Sequence, residues 1–175
     1  MFSKGLQVFI SSVFFVVLTS SVMSVDKMRS EEHQLLDKLK MEMPSVVYRE
    51  PLAIANLNLN HQGSVIATQP GENVFGMLNF HYDAERLAPE SLNQIIIGFS
   101  EIGAQKCIFN ELGYRCGEGI ASFFLQAPLN PGIYEIQCRI EQAYSPKDAL
   151  IHWVDQDSEN VMTIGKLIVR EENQN

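Results

Sequence analysis

The sequence predicts an all-β fold: an antiparallel β-sandwich with one short inserted helix, preceded by a signal peptide and an N-terminal amphipathic helix. Three observations carry this. Beyond Pro51 the apolar residues repeat with period two, in runs typical of half-buried strands. Gly, Pro and Asn interrupt those runs at short intervals, as turns require. The composition, 46% hydrophobic and 19% charged over 175 residues, is that of an ordinary folded domain and excludes disorder, collagen and coiled coil.

The first 24 residues carry a basic Lys4, an apolar stretch Val8–Leu18 and a polar Thr19-Ser20-Ser21 before small residues, the three-part grammar of a secretory signal. Val22 and Ser24 suit the −3 and −1 positions of a cleavage site, so the cut is expected after Ser24. The apolar core is roughly 11 residues, short of the ~20 that span a bilayer as a helix. No Cys stands near the cut to take a lipid, so no stable membrane anchor is expected after cleavage, and the destination is periplasmic or extracellular. The expected plan is residues 1–24 signal peptide, 25–51 helical leader, 52–170 sandwich and 171–175 polar tail.

From Asp26 to Met43, Leu35, Leu36, Leu39 and Met43 fall at helical spacing until Pro44 ends the pattern. This helix reads either as a docking arm or as a loosely packed leader. Strands follow at Leu52–Leu59, Ser64–Thr68, Val74–Tyr82, Gln94–Phe99, Ala104–Phe109, Ile120–Leu125, Ile133–Glu141 and Met162–Arg170. In the third, Val74, Gly76, Leu78, Phe80 and Tyr82 share a dry face opposite Asn79 and His81. In the seventh, Tyr134, Ile136, Cys138 and Ile140 are expected dry, and Glu135, Gln137, Arg139 and Glu141 wet. Gln69-Pro70-Gly71-Glu72, His61-Gln62-Gly63 and Asn130-Pro131-Gly132 supply the turns. Ser145-Pro146-Lys147-Asp148 opens the inserted helix with a capping hydroxyl, a proline at the first helical position and an acid three residues after the cap. Its Ala149, Leu150 and Trp153 form a stripe suited to covering an end or edge of the sandwich.

Several strings of the chain go together: Q-I-I-I-G-F at Gln94–Phe99, A-Q-K-C-I-F-N at Ala104–Asn110 and A-P-L-N-P-G-I-Y-E-I at Ala127–Ile136. R-I-E-Q-A-Y-S at Arg139–Ser145, A-L-I-H-W at Ala149–Trp153 and T-I-G-K-L-I-V at Thr163–Val169 continue them. Over roughly residues 74–170 the chain resembles a small β-sandwich module of secreted bacterial proteins, often a terminal appendage, with no assigned activity. The resemblance implies a fold and an exported context, and no catalytic or binding residue. That module commonly has extra cysteines before the Q-I-x-I-G strand, where this chain has Pro89-Glu90-Ser91-Leu92.

Removal of residues 1–24 leaves 12 basic groups against 21 acidic ones, a formal charge of −9, which disfavours nucleic acid and anionic membranes as partners. In an oxidising compartment, Cys107, Cys116 and Cys138 make one disulfide and one thiol. Cys107–Cys116 is favoured, as a pair opposed in a hairpin centred on Asn110–Gly113. Cys107–Cys138 across neighbouring strands is the rival, no bond at all is the third outcome, and Cys138 is otherwise a buried, inert thiol. The histidines His33, His61, His81 and His152 lack zinc spacing. The loop acids Asp155, Asp157 and Glu159 alternate, so their carboxylates are a candidate calcium site, with a solvated acidic loop as the plainer reading. G-x-S-x-G, the P-loop and G-x-G-x-x-G are absent. Among the aromatics, Tyr114 in the Gly113–Gly119 turn and Tyr144 before the inserted helix are best placed to stack on a ligand, and Trp153 is expected in the core. The ranking that follows is a secreted non-enzymatic binding module for a glycan, peptide or protein ligand, then a structural or accessory envelope protein. A small secreted hydrolase using His81 or the acids comes last. No organic cofactor is expected.

Overall fold

The computed structural model describes residues 27, 29–83, 92–112, 117–154 and 161–171. Residues 29–42 are helical (α1). The strands among the described residues are β1 (Val46–Arg49), β2 (Leu52–Leu59), β3 (Val65–Thr68), β4 (Asn73–Tyr82), β5 (Leu92–Phe99), β6 (Gly103–Leu112), β7 (Gly117–Gln126), β8 (Gly132–Gln142) and β9 (Met162–Val169). A short helix α2 (Pro146–Ile151) runs into a 3-10 turn at His152–Val154 between β8 and β9. Each strand expected from the alternation is present. The strand region opens earlier than expected, at Val46, because β1 pairs antiparallel with β2 from Val46↔Ala55 to Arg49↔Leu52.

The strands form two sheets, β1-β2-β4-β7 and β3-β9-β8-β5-β6. The alternation of β4 divides its side chains as expected: Val74, Leu78 and Tyr82 are buried between the sheets with Leu59, Phe99 and Leu125. Among the described residues all strand pairings are antiparallel except β3 with β9, which is parallel from Val65↔Lys166 to Thr68↔Val169. The expectation of a wholly antiparallel sandwich is corrected here. After β2 the chain leaves the first sheet and arrives beside β9 in the second, running the same way. The turn into β4 is as expected: Glu72 N–H donates to the Gln69 carbonyl at 3.3 Å, and Gly71 takes φ +71°, the conformation that favours glycine.

With β2, β4 and β7 facing β9, β8, β5 and β6, the strand order is that of an immunoglobulin-like Greek-key sandwich. A second observation agrees. The Tyr134 hydroxyl, near the start of β8, donates to the Asn130 carbonyl at 2.9 Å, the tyrosine corner of such folds. The tyrosine ring also meets Phe99 edge-on at 6.1 Å.

Strand β5 explains its own sequence. Ile95, Ile97 and Phe99 point into the inter-sheet core, whereas Ile96 points outward into a second cluster with Ala143, Ala149 and Trp153. A strand covered on both faces loses the alternation and reads as a continuous apolar run. The outer cover is α2, whose N-cap forms as expected: Asp148 N–H donates to Ser145 Oγ at 3.2 Å, and Pro146 begins the helix. Such a cap contributes about 1 kcal/mol.

Candidate functional site

The outer face of the second sheet is built in rows. The register places Asn110, Gln94 and Glu141 side by side, and next to them Cys107, Ile96 and Arg139. Gln94, fully buried, donates through Nε2 to Asn110 Oδ1 at 2.9 Å and accepts the Cys107 thiol at 3.2 Å. Arg139, expected on a wet face, is only 2% exposed. The reason is α2 and its 3-10 turn, which lie over it: Trp153 stacks on the guanidinium with Cζ 5.1 Å from the ring centroid. Arg139 Nη2 donates to the His152 carbonyl at 2.9 Å and pairs with Glu141 Oε2 at 3.1 Å. Glu141 Oε1 in turn meets His152 Nδ1 at 3.1 Å. Burial pulls the Arg139 guanidinium below its ordinary value and Glu141 opposes that, so it stays cationic. These contacts clamp the helix to the sheet.

Beside this clamp opens a cleft of about 410 Å³, lined by Leu92, Gln142, Ala143, Tyr144, Asp148, Ile151 and His152. The end of β8 and the start of β5 form its floor, joined by Ala143 N–H donating to the Leu92 carbonyl at 3.0 Å. Tyr144 stands 91% exposed at the mouth. Asp148 is held by the Ser145 hydroxyl, which donates to its Oδ2 at 2.7 Å. His152 turns Nδ1 to Glu141, which leaves Nε2 as the ring nitrogen for a ligand, an acceptor when the ring is neutral. The cleft thus offers an aromatic face, an aliphatic wall from Leu92 and Ile151, and an amide, a carboxylate and an imidazole around them. A volume of this order suits a small ligand.

No family model and no curated protein sequence matches this chain.

Of the site residues expected from the sequence, Tyr144 lines the cleft. Tyr114, Cys116 and the acids Asp155, Asp157 and Glu159 lie outside the described residues. Among the described residues no cluster of His, Cys, Asp and Glu is arranged to hold a metal ion. The hairpin that motivated a Cys107–Cys116 bond is not formed, because β6 pairs with β5 in the second sheet while β7 belongs to the first. Cys107–Cys138 is excluded by the register. Cys107 stands opposite Ile96 and Cys138 opposite Ile97, so the two thiols point to opposite faces with β5 between them, about 10 Å apart across two strand spacings. Both are free. Burial pushes the Cys107 thiol up and pushes Cys138, deep in the core, much further. His81 lies on the opposite side of the molecule, exposed on the first sheet with Nδ1 3.9 Å from Glu118. Arg139, Glu141, Asp148 and His152 were not singled out from the sequence. A basic and an acidic residue two apart on one strand face, followed by an aromatic helix stripe, is the signal that points to them.

Proposed function

We propose that this chain is an exported, non-enzymatic binding module that holds a saccharide in the cleft beside α2. Sandwiches of this topology serve many unrelated roles, so the argument rests on the site. The observation that carries it is Tyr144, an almost fully exposed ring at the mouth of a cleft whose other groups are Gln142, Asp148 and His152. A sugar ring presents an apolar face, which stacks on an aromatic plane, and hydroxyls that need both acceptors and donors at its rim. Asp148 and the imidazole Nε2 accept, and the Gln142 amide does both. The leader at 1–24 and the resemblance to secreted sandwich modules support export, with a mature chain beginning at Val25. The acids Asp155, Asp157 and Glu159 belong to the same reading as a calcium loop.

A thermal-shift screen of the purified protein against oligosaccharides and cell-wall fragments, with and without calcium, tests this. A ligand at 100 times its dissociation constant adds about 2.7 kcal/mol, which raises the melting temperature of a chain this size by roughly 5–10 °C. Tyr144→Ala removes that shift and leaves the unliganded melting temperature in place, because the exposed ring packs little. A shift that survives Tyr144→Ala, or a flat panel, refutes the cleft as the site. A calcium-induced shift that survives Asp157→Ala dismisses the loop. A secreted or periplasmic form beginning elsewhere than Val25 corrects the leader.

A structural or accessory role in the envelope is the second reading, favoured by the outer edge of β7, which pairs with no other strand among the described residues.

A further inference from the structure

We propose that β7 is a self-association edge, through which two copies of this chain pair antiparallel about Ser122 and join their first sheets. Strand β7 ends the order β1-β2-β4-β7, so one side of it bonds β4 and, among the described residues, no strand bonds the other. Three bonds give its phase. Ala127 N–H donates to the Glu72 carbonyl at 2.8 Å, so the odd-numbered residues face β4. Gln126 turns its backbone the other way, where the Gln105 side chain from β6 takes both groups: Gln126 N–H donates to Gln105 Oε1 at 2.8 Å, and Gln105 Nε2 donates to the Gln126 carbonyl at 3.1 Å. The amide of Gln105 thus stands where a neighbouring strand would. The N–H and C=O groups of Glu118, Ile120, Ser122 and Phe124 face the same open side, and among the described residues none of them has a partner there.

The occupant follows from the symmetry of that edge. Laid against a second copy about Ser122, the strand sets Ile120 opposite Phe124 and Ser122 opposite itself. Each of these three pairs exchanges two backbone bonds, so the ladder holds six. Ile120 and Phe124 are 71% and 56% exposed, and their pairing puts apolar against apolar on the same face. Glu118 falls opposite Gln126, so no acid meets an acid in a chain of net charge −8. Gln105, already on Gln126, ends the ladder at each side. A two-fold edge pairing of this kind uses one patch twice. The face it extends is apolar as well: Phe124 touches Phe75 at 5.3 Å between centroids, and Val46, Tyr48 and Met77 are exposed on the same sheet face.

Sedimentation velocity of the full chain over a wide concentration range tests the proposal, together with amide hydrogen exchange at both ends of that range. The expected result is a mass rising from 19.7 kDa to twice that, with the amides of Ile120, Ser122 and Phe124 protected only in the heavier species. Ser122→Pro removes an N–H that β4 does not use, so the monomer keeps its fold and the dimer is lost. Should that variant fail to fold, Phe124→Lys places a charge on the same edge and gives the same loss. A monomer at every concentration overturns the proposal. So do a dimer that survives both variants, a dimer whose three amides stay exposed, and a β7 edge protected only when a different protein binds.

Discussion

Arg139→Ala tests the clamp beneath the cleft. The guanidinium makes charge-assisted bonds to Glu141 at 3.1 Å and to the His152 carbonyl at 2.9 Å, each contributing about 1.5–3 kcal/mol. Its stacking on Trp153 adds up to about 2 kcal/mol when desolvated. Against this stands the cost of burying the charge, seen in the lowered pKa and in Nε, which has no hydrogen-bond partner among the described residues. Truncation removes the favourable contacts and leaves Glu141, 14% exposed, with half of its partners. The net loss expected for breaking such a pair is about 3–5 kcal/mol, which lowers the melting temperature by roughly 6–20 °C. Differential scanning calorimetry measures it. The double variant Arg139→Met with Glu141→Gln separates charge from volume: it keeps the stem against Trp153 and removes both charges, and its loss should be under about 1.5 kcal/mol. A shift under 2 °C for Arg139→Ala, or a double variant as damaged as the alanine, refutes the account of the clamp.

Tyr134→Phe keeps the ring against Phe99 and deletes the bond to Asn130. Urea unfolding should show a loss of about 1–2 kcal/mol at unchanged m, and an unchanged midpoint speaks against the corner. Glu72 accepts from Thr68 Oγ1 and from the backbone N–H of Gln69, which hold its carboxyl below the usual glutamate range, with lesser help from the charge of Arg170. A carboxylate depressed in the folded state stabilises above its unfolded pKa and ceases to as the pH falls through the folded one. The stability difference between parent and Glu72→Gln should therefore be constant near neutrality and shrink below about pH 4.3; a difference that grows on acidification contradicts this. Alkylation of the native protein should modify Cys107 slowly and leave Cys138 untouched until unfolding, because burial raises both thiols and encloses the second. A Cys107–Cys138 peptide in a non-reduced digest would contradict the register.

The sandwich was legible where one face of a strand is dry and the other wet. β4, with Val74, Leu78 and Tyr82 inward, declares itself by period alone, and α2 by its Ser145 cap. β1 was not, because Val46, Tyr48 and Arg49 are all exposed and only Val47, half-buried, packs against the core, so its four residues leave no alternation to read. Arg139 was misplaced for a related reason. Period two tells which residues share a face, not whether a helix from elsewhere covers that face, and Trp153 covers this one. The rival Cys107–Cys138 pairing failed on register, because β5 lies between the two strands that carry these cysteines, and alternation within a strand does not tell which sheet the next strand joins: β6 belongs to the second and β7 to the first. At the site, Tyr144 stood out because an aromatic beside a helix cap has nothing local to bury it. Asp148 and His152 become its neighbours only through the fold of α2.

The parallel pair β3–β9 also determines how the sandwich would carry load. A pull that drew the chain before β3 and the chain after β9 apart would slide these two strands lengthwise past each other. The backbone bonds from Val65 to Thr68, with Lys166 N–H on the Ser64 carbonyl and Arg170 N–H on the Thr68 carbonyl, each 3.0 Å, would then resist together rather than open one after another as in an unzipped hairpin. Stretched between two anchorage points, the domain would yield by shear.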